Sequence, residues 1–389
     1  MSLRKIISPI VYGVLMLFAI AGVIGIWFRF SQGLQITALT SYVPWGIWVS
    51  AYIFLIGLAG GCVFLVSPYV LWGRREFLSL VGPAFLAAWV SLAGGMIFIW
   101  LDLGNPWRFL NLYLHPNWDS SMVWEAWCYP VFLLFITGEL YLWYRPSLRK
   151  RMKLLKYIES LSCVLAFFVI WDSGSAFAQN FSRPLWHGGW EKPLTFILLA
   201  VISGTALLLT IHIGNSSRSH HPQKVDRELA LVLLSGVIFF AAIEGFRLWE
   251  AWSNSWSTVS GQTWKTIVSG PYWYVFWIGQ LGLLMVVPVF SILLGLRRLD
   301  SRWLEFGSLS VLVGVFASRL NFIIPGLVEP AFSQLDLAYQ NPRLSVQYFP
   351  SLTEWIITIG LGAIIILAYL VIQRMLNHEN WMHTNGKKV

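Results

Sequence analysis

Long apolar runs divide the chain into ten segments of about 20 residues or more, separated by short polar stretches. A run of about 20 apolar residues is long enough to cross a bilayer as an α-helix. The pattern therefore predicts an all-α, polytopic membrane protein, a single integral-membrane domain over residues 1–389 whose packed helical bundles end in a C-terminal tail at 376–389. The predicted helices lie at residues 6–28, 44–71, 77–101, 121–144, 156–178, 193–214, 228–250, 270–296, 303–325 and 352–375.

The distribution of positive charge predicts how these helices are oriented. With the N-terminus in the cytoplasm, the inner segments hold 19 Lys and Arg residues and the outer segments hold 6, while Arg247 and Arg319 lie inside helices. Loops rich in Lys and Arg remain on the cytoplasmic side, so both termini are predicted to be cytoplasmic. The net charge of +9 then reflects topology and anionic lipid, and requires no nucleic acid. Because the first apolar run lacks a small-residue cleavage site, we expect a retained helix.

Composition supports a membrane protein and gives no sign of a resident redox centre. The chain is 57% hydrophobic and 12% charged, which is more apolar surface than a soluble domain buries. Cys62, Cys128 and Cys163 lie in separate apolar segments, which favours neither a disulfide framework nor an iron–sulfur cluster. A membrane b-type haem needs two facing histidines, and His212 alone lies clearly within a predicted helix. We therefore expect no haem, metal or iron–sulfur cluster in this chain.

Glycines are concentrated in the second predicted helix. The stretch LAGGCVF at 58–64 recurs as LAGGMIF at 92–98 in the third helix, and Gly57 and Gly61 form a GxxxG pair. Small residues at matching depth let antiparallel membrane helices approach closely. We therefore expect helices two and three to pack closely at this point, with space for a flat ligand beside them as the alternative interpretation.

Ionisable residues within the predicted helices gather toward the outer side. Such residues are costly in lipid and indicate either pairing or function. Glu244 and Arg247 are spaced i,i+3, so we expect them to pair, and with Arg319 they fit a role in holding helices together. For Asp172 and Glu125 a chemical role is favoured. The outer set comprises Asp102, Glu125, Asp172, Glu244, Arg247, Arg319 and Glu354.

The inner half offers fewer such groups. Glu139, Glu159 and His212 lie near the predicted cytoplasmic ends of their helices. Long polar side chains at such positions commonly reach the water at the interface, so we expect these three to be solvated.

The chain carries a series of motifs, which are PWGIWVSAYIFLIGLAGG from Pro44, LDLGNPWRFLNLYLHPNW followed by SMVWEAWCY, and RPLWHGGWEKPLTFILLAVISG. In their order and spacing, these motifs resemble the NrfD/PsrC family of polytopic quinone-binding anchors. The resemblance covers most of the chain and is densest from Tyr42 to Gly204. The ten-helix count, with YFPSLTEWIITIG near the C-terminus, is similar to the longer branch that includes HybB-like subunits of hydrogenase-2-type enzymes.

The resemblance implies a haem-free anchor that binds menaquinone or ubiquinone near the outer face of a prokaryotic cytoplasmic membrane. It also implies an extracytoplasmic, ferredoxin-like iron–sulfur subunit that relays electrons to or from a molybdopterin oxidoreductase. A [NiFe]-hydrogenase or multihaem-cytochrome complex is the alternative assembly. A secondary transporter or ion channel is the alternative from another class, although transporters usually show repeated halves with broken helices.

The resemblance also implies where the quinone binds and which groups carry protons. It places the pocket at Trp45 and Gly46, with Trp45 as a residue of the interfacial aromatic belt in the alternative interpretation. Relatives often have His or Tyr where this chain has Asp172, and a carboxylate is also able to accept a quinol proton. His187 has a suitable imidazole, or else it structures its loop. The quinone-binding candidates are Trp45, Gly46, Asp172, Ser173, Trp186 and His187, and the proton-handling candidates are Asp172, His187, Glu125 and Asp102.

Two further expectations concern the outer side. Because the proton-handling candidates all lie there, quinone protons are expected to exchange mainly outward. The iron–sulfur partner is expected to dock on the outer loops at 103–120 and 179–192, which are rich in Trp and Arg.

Overall fold

The computed structural model describes residues 3–145, 152–180, 182–215, 221–256, 258–329 and 344–385. Within these residues, ten helices are long and apolar enough to span a membrane, which confirms the predicted all-α, multi-pass fold. We number the spanning helices α1 to α10. They are α1 (Leu3–Gln32), α2 (Ile47–Leu71), α3 (Leu78–Asp102), α4 (Ser121–Tyr144), α5 (Met152–Ala178), α6 (Glu191–Asn215), α7 (Lys224–Ser253), α8 (Val275–Arg298), α9 (Ser301–Val328) and α10 (Leu352–Asn385).

The connections between these helices contain short helical pieces. They are 3₁₀ turns at Gly33–Ile36, Arg75–Phe77 and Pro106–Leu110, and α-helices at Asn111–Leu114 and Val259–Ser269. Short connections join neighbouring helices in antiparallel order, so Trp45 and the connections after α3, α5, α7 and α9 lie at one end of the bundle. We call this the outer end, following the predicted orientation, and the opposite end the inner end.

Local sequence explains several helix boundaries. Gln223 and Asp226 form a capping box that starts α7 four residues before the predicted boundary. The Asp300 carboxylate accepts the backbone N–H of Arg302 at 3.0 Å and starts α9. The predicted tail at 376–389 is helical as far as Asn385, because α10 continues past its apolar run.

The central helix of the bundle is α2, which packs against α3, α5, α6 and α9. In the most apolar stretch of α2, 83% of the residues are buried. Helix α1 pairs with α10, which in turn lies against α3. The arrangement gives an N-terminal group, α2 to α5, and a C-terminal group, α6 to α9, with α2 in contact with both.

The glycine-rich stretch of α2 makes its closest backbone contact with α6. A Cβ placed on Gly61 would overlap the carbonyl oxygen of Ala200, and one placed on Gly204 would lie 2.5 Å from the carbonyl carbon of Gly61. We predicted that the GxxxG pair of α2 packs against α3. That prediction is wrong, because the closest backbone neighbour of the pair is α6. Helices α2 and α3 do pack together, but Gly61 faces α6, which a single sequence does not reveal.

The outer part of α8, Val275–Val286, is π-helical. A π-helical turn is wider than an α-turn and is frequent at functional sites. Gly314 of α9 faces the backbone of Leu284 in this segment, where any Cβ would overlap it. The segment carries Gln280, a buried polar residue that faces the C-terminal group.

Candidate functional site

Three helices bring hydroxyl and carboxyl groups together in the outer half of the N-terminal group. The Tyr52 hydroxyl donates to Glu125 Oε2 at 3.2 Å and lies 2.5 Å from the Tyr129 hydroxyl. The Tyr129 hydroxyl lies 3.1 Å from Ser173 Oγ. With Asp172, which adjoins Ser173 in α5, these residues form what we call the carboxylate cluster.

The cluster follows from helical spacing on α4 and α5. Glu125 and Tyr129 are four residues apart and therefore share one face of α4. Asp172 is half-buried, and its Oδ2 is buried without a hydrogen-bond partner in the described part of the chain. A buried carboxyl oxygen without a partner is unfavourable unless it is protonated or bonded by a ligand. Asp172 is therefore a member of the cluster with unused bonding capacity.

An aromatic group lies between the cluster and the outer end. Trp45 stacks on Trp186 with ring centroids 5.5 Å apart and an interplanar angle of 23°. Phe177 packs edge-on against both rings, at 6.0 and 5.3 Å. Because Ser173 and Phe177 are four residues apart on α5, the aromatic group lies one turn closer to the outer end than the cluster.

Trp186 is fixed in this position from the other side. It is 1% exposed, and its indole N–H donates to the carbonyl oxygen of Phe322 in α9 at 2.7 Å. The structure therefore places five of the predicted site residues, Trp45, Trp186, Asp172, Ser173 and Glu125, in one region.

Three other candidate residues lie outside that region. Asp102 is buried at the end of α3, where Arg29 donates to neighbouring backbone carbonyls. Gly46 packs against the hydroxyl of Tyr348, which a Cβ would overlap, so its lack of a side chain serves packing. His187 is exposed and lies at the rim of a different cavity.

Glu354, another of the outer ionisable residues, has a carboxylate that is bonded to neighbouring segments and so has a structural role. It accepts hydrogen bonds from the Tyr348 hydroxyl at 2.6 Å and from the backbone N–H of Ala38 and Ser351 at 2.8 and 2.9 Å. Burial, reinforced by the negative charge of Glu354, holds the pKa of Tyr348 above its ordinary value, so that Tyr348 stays a neutral donor. These bonds connect the start of α10 to the segments around α2.

Neither Tyr52 nor Tyr129 was among the site residues predicted from the sequence. The i,i+4 spacing of Glu125 and Tyr129 was a readable signal. Tyr52 lies in an otherwise apolar helix, and its partners come from α4, so a single sequence gives no sign of the contact.

A second polar region surrounds a cavity of 710 Å³ between α6, α7, α8 and α9. Arg247 donates to Glu244 at 2.7 Å, which confirms the predicted pair. Gln280, from the π-helical segment, donates to the other oxygen of Glu244 at 3.0 Å and accepts from Asn321 at 2.9 Å. Arg319 also lines this cavity. We call it the C-terminal cavity.

The inner half holds a pair of buried carboxyl groups on α4 and α5. Glu139 and Glu159 are both 0% exposed, and none of their four carboxyl oxygens has a hydrogen-bond partner within the described part of the chain. The expectation that their side chains reach water is therefore wrong, because both point into the helix packing. His212 is also buried and lies 2.6 Å from Asp226.

An apolar layer separates this inner pair from the carboxylate cluster. Phe132 and Ile136 of α4 and Ala166, Val169 and Ile170 of α5 are all at most 2% exposed. Thr137 of α4 bonds Trp89 and the backbone on a more exposed face, so it does not connect the two regions. The described side chains thus give the cluster no continuous polar path inward.

Comparison with known proteins identifies the chain's family. The family model described as Polysulphide reductase, NrfD, matches residues 35–331, from just before α2 to the end of α9. The chain belongs to the NrfD family. Both polar regions lie within the matched residues, so they belong to the part of this chain that defines its NrfD-family membership.

Individual relatives are similar over nearly the whole chain. A selenate reductase subunit of Mesobacillus selenatarsenatis is 27% identical, with 98% of each chain covered. The Hdr-like menaquinol oxidoreductase integral membrane subunit of Archaeoglobus fulgidus is 26% identical, covering 86% of this chain and 85% of the relative. The probable Ni/Fe-hydrogenase 2 b-type cytochrome subunit of Escherichia coli is 27% identical, covering 88% and 85%.

Proposed function

We propose that this protein is the quinone-binding membrane anchor of a respiratory oxidoreductase complex in a prokaryotic cytoplasmic membrane. The observation that carries the proposal is the carboxylate cluster. In it Asp172, whose Oδ2 has no hydrogen-bond partner among the described residues, adjoins Ser173 at the end of a chain of three hydroxyl groups. The menaquinol oxidoreductase among the relatives supports it. When bound, menaquinone or ubiquinone supplies a redox couple whose quinone and quinol forms differ by two electrons and two protons.

In this proposal each residue of the cluster has its own role. Asp172 binds the headgroup and holds a proton at Oδ2. Glu125 holds a second proton, and its carboxyl group is kept in place by the Tyr52 hydroxyl. Tyr129 connects Tyr52 to Ser173, so that the hydroxyl protons have defined partners. A general acid or base has to lie within hydrogen-bond distance of the oxygen with which it exchanges a proton.

Protons leave or enter the cluster on the outer side in this proposal. The apolar layer between the cluster and Glu139 supports that direction, since it offers no polar side chain for transfer inward. Trp45 and Trp186 cover the cluster at the outer end and limit its contact with water. Asp102 and His187 take no direct part, because they lie outside the cluster.

The electron partner is an extracytoplasmic, ferredoxin-like iron–sulfur subunit that docks at the outer end. Exposed Trp side chains there support this, with Trp107 at 68%, Trp118 at 49% and Trp190 at 72% exposure. Aromatic residues of this kind are enriched among interface hot spots. The catalytic subunit beyond it is a molybdoenzyme, in line with the selenate reductase relative, and a hydrogenase is the second candidate because of the Escherichia coli relative.

Substitution of the two carboxyl groups tests the proposal. In membranes that retain the assembled complex, Asp172→Asn and Glu125→Gln should each lower quinone-linked turnover at least tenfold, which is about 1.4 kcal/mol in the barrier. Activity of the catalytic partner with an artificial dye should survive, because the dye bypasses the quinone. Glu329→Gln is the matched control, since it makes the same change outside both polar regions at the end of α9. Unchanged quinone turnover in both variants would remove these carboxyl groups from the mechanism.

A further inference from the structure

The C-terminal cavity contains a buried cation that has no anionic partner among the described residues. Arg319 is 1% exposed and lines the cavity. Its guanidinium carbon lies 4.0 Å from the ring centre of Phe196, its Nε has no hydrogen-bond partner, and no acidic group of the described residues lies within ion-pair distance. A buried charge without a partner is strongly unfavourable, so the site favours an anion from outside the chain.

The other interior charges of the cavity are already matched among the described residues, and Glu250, which also lines it, is exposed. Both carboxyl oxygens of Glu244 are occupied, one by Arg247 and one by Gln280. Lys192 pairs with Glu191 at 3.2 Å near the rim. Arg319 therefore leaves one unmatched positive charge in the interior, which suits a ligand carrying a single negative charge.

A second open group specifies the ligand further. Asn321 is 4% exposed, its amide N–H₂ donates to Gln280, and its Oδ1 has no hydrogen-bond partner among the residues that the structure describes. Asn321 is two residues from Arg319 on α9, and both line the cavity. The free Oδ1 needs a hydrogen-bond donor, so the ligand should carry a hydroxyl group as well as its negative charge.

The cavity also has an apolar side that faces lipid. Leu194 of α6 is 43% exposed, and Phe239 and Phe246 of α7 are each 61% exposed, yet all three line the cavity. Phe239 lies 14 residues from the outer end of α7, or about 21 Å, so the opening extends far into the membrane. Arg319 lies about 13 Å from the outer end of α9. An acyl chain fits this opening, because the opening is lined by apolar side chains and runs along α7 into the membrane.

We propose that the C-terminal cavity binds one anionic phospholipid with a glycerol headgroup. The phosphodiester accepts hydrogen bonds from Arg319 and neutralises its charge, and a headgroup hydroxyl donates to Asn321 Oδ1. The acyl chains leave the cavity between α6 and α7 along Leu194, Phe239 and Phe246. Bound lipid of this kind fills the space between helices of the C-terminal group and adds a monoanion that the described residues do not supply.

Lipid retention by the purified complex tests this proposal. The complex is placed in nanodiscs of phosphatidylcholine containing a small fraction of phosphatidylglycerol, extracted with mild detergent, and its retained lipid is counted by mass spectrometry. The wild type should retain about one phosphatidylglycerol per copy of this chain. Arg319→Gln should lower that retention at least tenfold, and Lys265→Gln, which removes an exposed charge near the same end, should leave it unchanged.

A second variant keeps the test decisive if Arg319→Gln fails to assemble. Ala242→Trp adds a large side chain at an exposed position that lines the opening, so folding is spared while the acyl chains are excluded. Retention should fall in this variant, with dye-linked activity intact. Soluble glycerol phosphate should not displace the lipid from the wild type, because it lacks chains.

Four results would overturn the proposal. They are equal retention of phosphatidylcholine and phosphatidylglycerol, unchanged retention in Arg319→Gln or in Ala242→Trp, displacement by glycerol phosphate, and Arg319-dependent retention of a quinone in place of the phospholipid.

Discussion

The carboxylate cluster and the C-terminal cavity face different sides of α2 and handle buried polarity in opposite ways. Tyr52 and Gly57 are five residues apart, about 140° around the helix, and face the cluster and Arg319 respectively. In the cluster the open group is a carboxyl oxygen, Asp172 Oδ2, beside hydroxyl groups. In the cavity the acid Glu244 is fully bonded, and the open group is a cation.

This difference separates the two regions chemically. A partly bonded acid next to hydroxyl groups can take up and release protons, as a quinone site requires. A paired acid beside an unpaired arginine is suited to hold an anion in place. Both regions depend on one piece of packing, the backbone contact between α2 and α6, because α2 belongs to the cluster and α6 to the cavity.

The largest effect is expected from breaking that shared contact. A Leu at Gly204 would meet the backbone of Gly61, which cannot move aside as a side chain can. Overpacking of this kind costs about 1–3 kcal/mol or more, so Gly204→Leu should lower the yield of assembled complex at least several-fold. The yield is measured by size-exclusion chromatography, together with dye-linked activity.

Gly245→Leu on α7 is the control for that experiment, because a Cβ there has no atom within 4 Å. The remaining Gly204→Leu complex should show losses in quinone-linked turnover and lipid retention together. Normal yield with both properties intact would mean that the α2–α6 contact does not hold the two regions.

The smallest effect is expected at the inner carboxyl pair, which is a third acidic site beside the carboxylate cluster and the C-terminal cavity. Glu139→Gln and Glu159→Gln should each leave quinone-linked turnover within about twofold of the wild type. The reason is the apolar layer, including Phe132 and Val169, that separates the pair from the cluster. Turnover is measured in membranes beside Asp172→Asn. A tenfold loss in either Gln variant would show that quinone protons travel inward.

The helices and one ion pair were predictable because they depend on local pattern. Apolar runs long enough to span a bilayer predicted the existence and approximate position of all ten helices, and the end of α10 at Asn385 instead of residue 375 is the largest difference from the bounds of these helices. The i,i+3 spacing predicted the Glu244–Arg247 bond, since two residues on one helix face meet whatever the fold.

Features made by several helices were not predictable from a single sequence. The partner of Gly61, the role of Tyr52 and the burial of Glu139 against α5 all depend on which helices are neighbours. The same limit applies to His187, which follows Trp186 directly yet lies at the rim of the C-terminal cavity. Residues that were predicted to form one site therefore lie in two regions of the structure.

The most direct test of the account is the position of bound quinone. A photoreactive menaquinone analogue is cross-linked to the assembled complex, and the labelled peptides are identified by mass spectrometry. The account predicts labelling of α4 and α5 around Glu125, Tyr129 and Asp172, reduced in Asp172→Asn and unaffected in Arg319→Gln. Labelling confined to α7, α8 and α9, and lost in Arg319→Gln, would place the quinone in the C-terminal cavity and contradict the central claim.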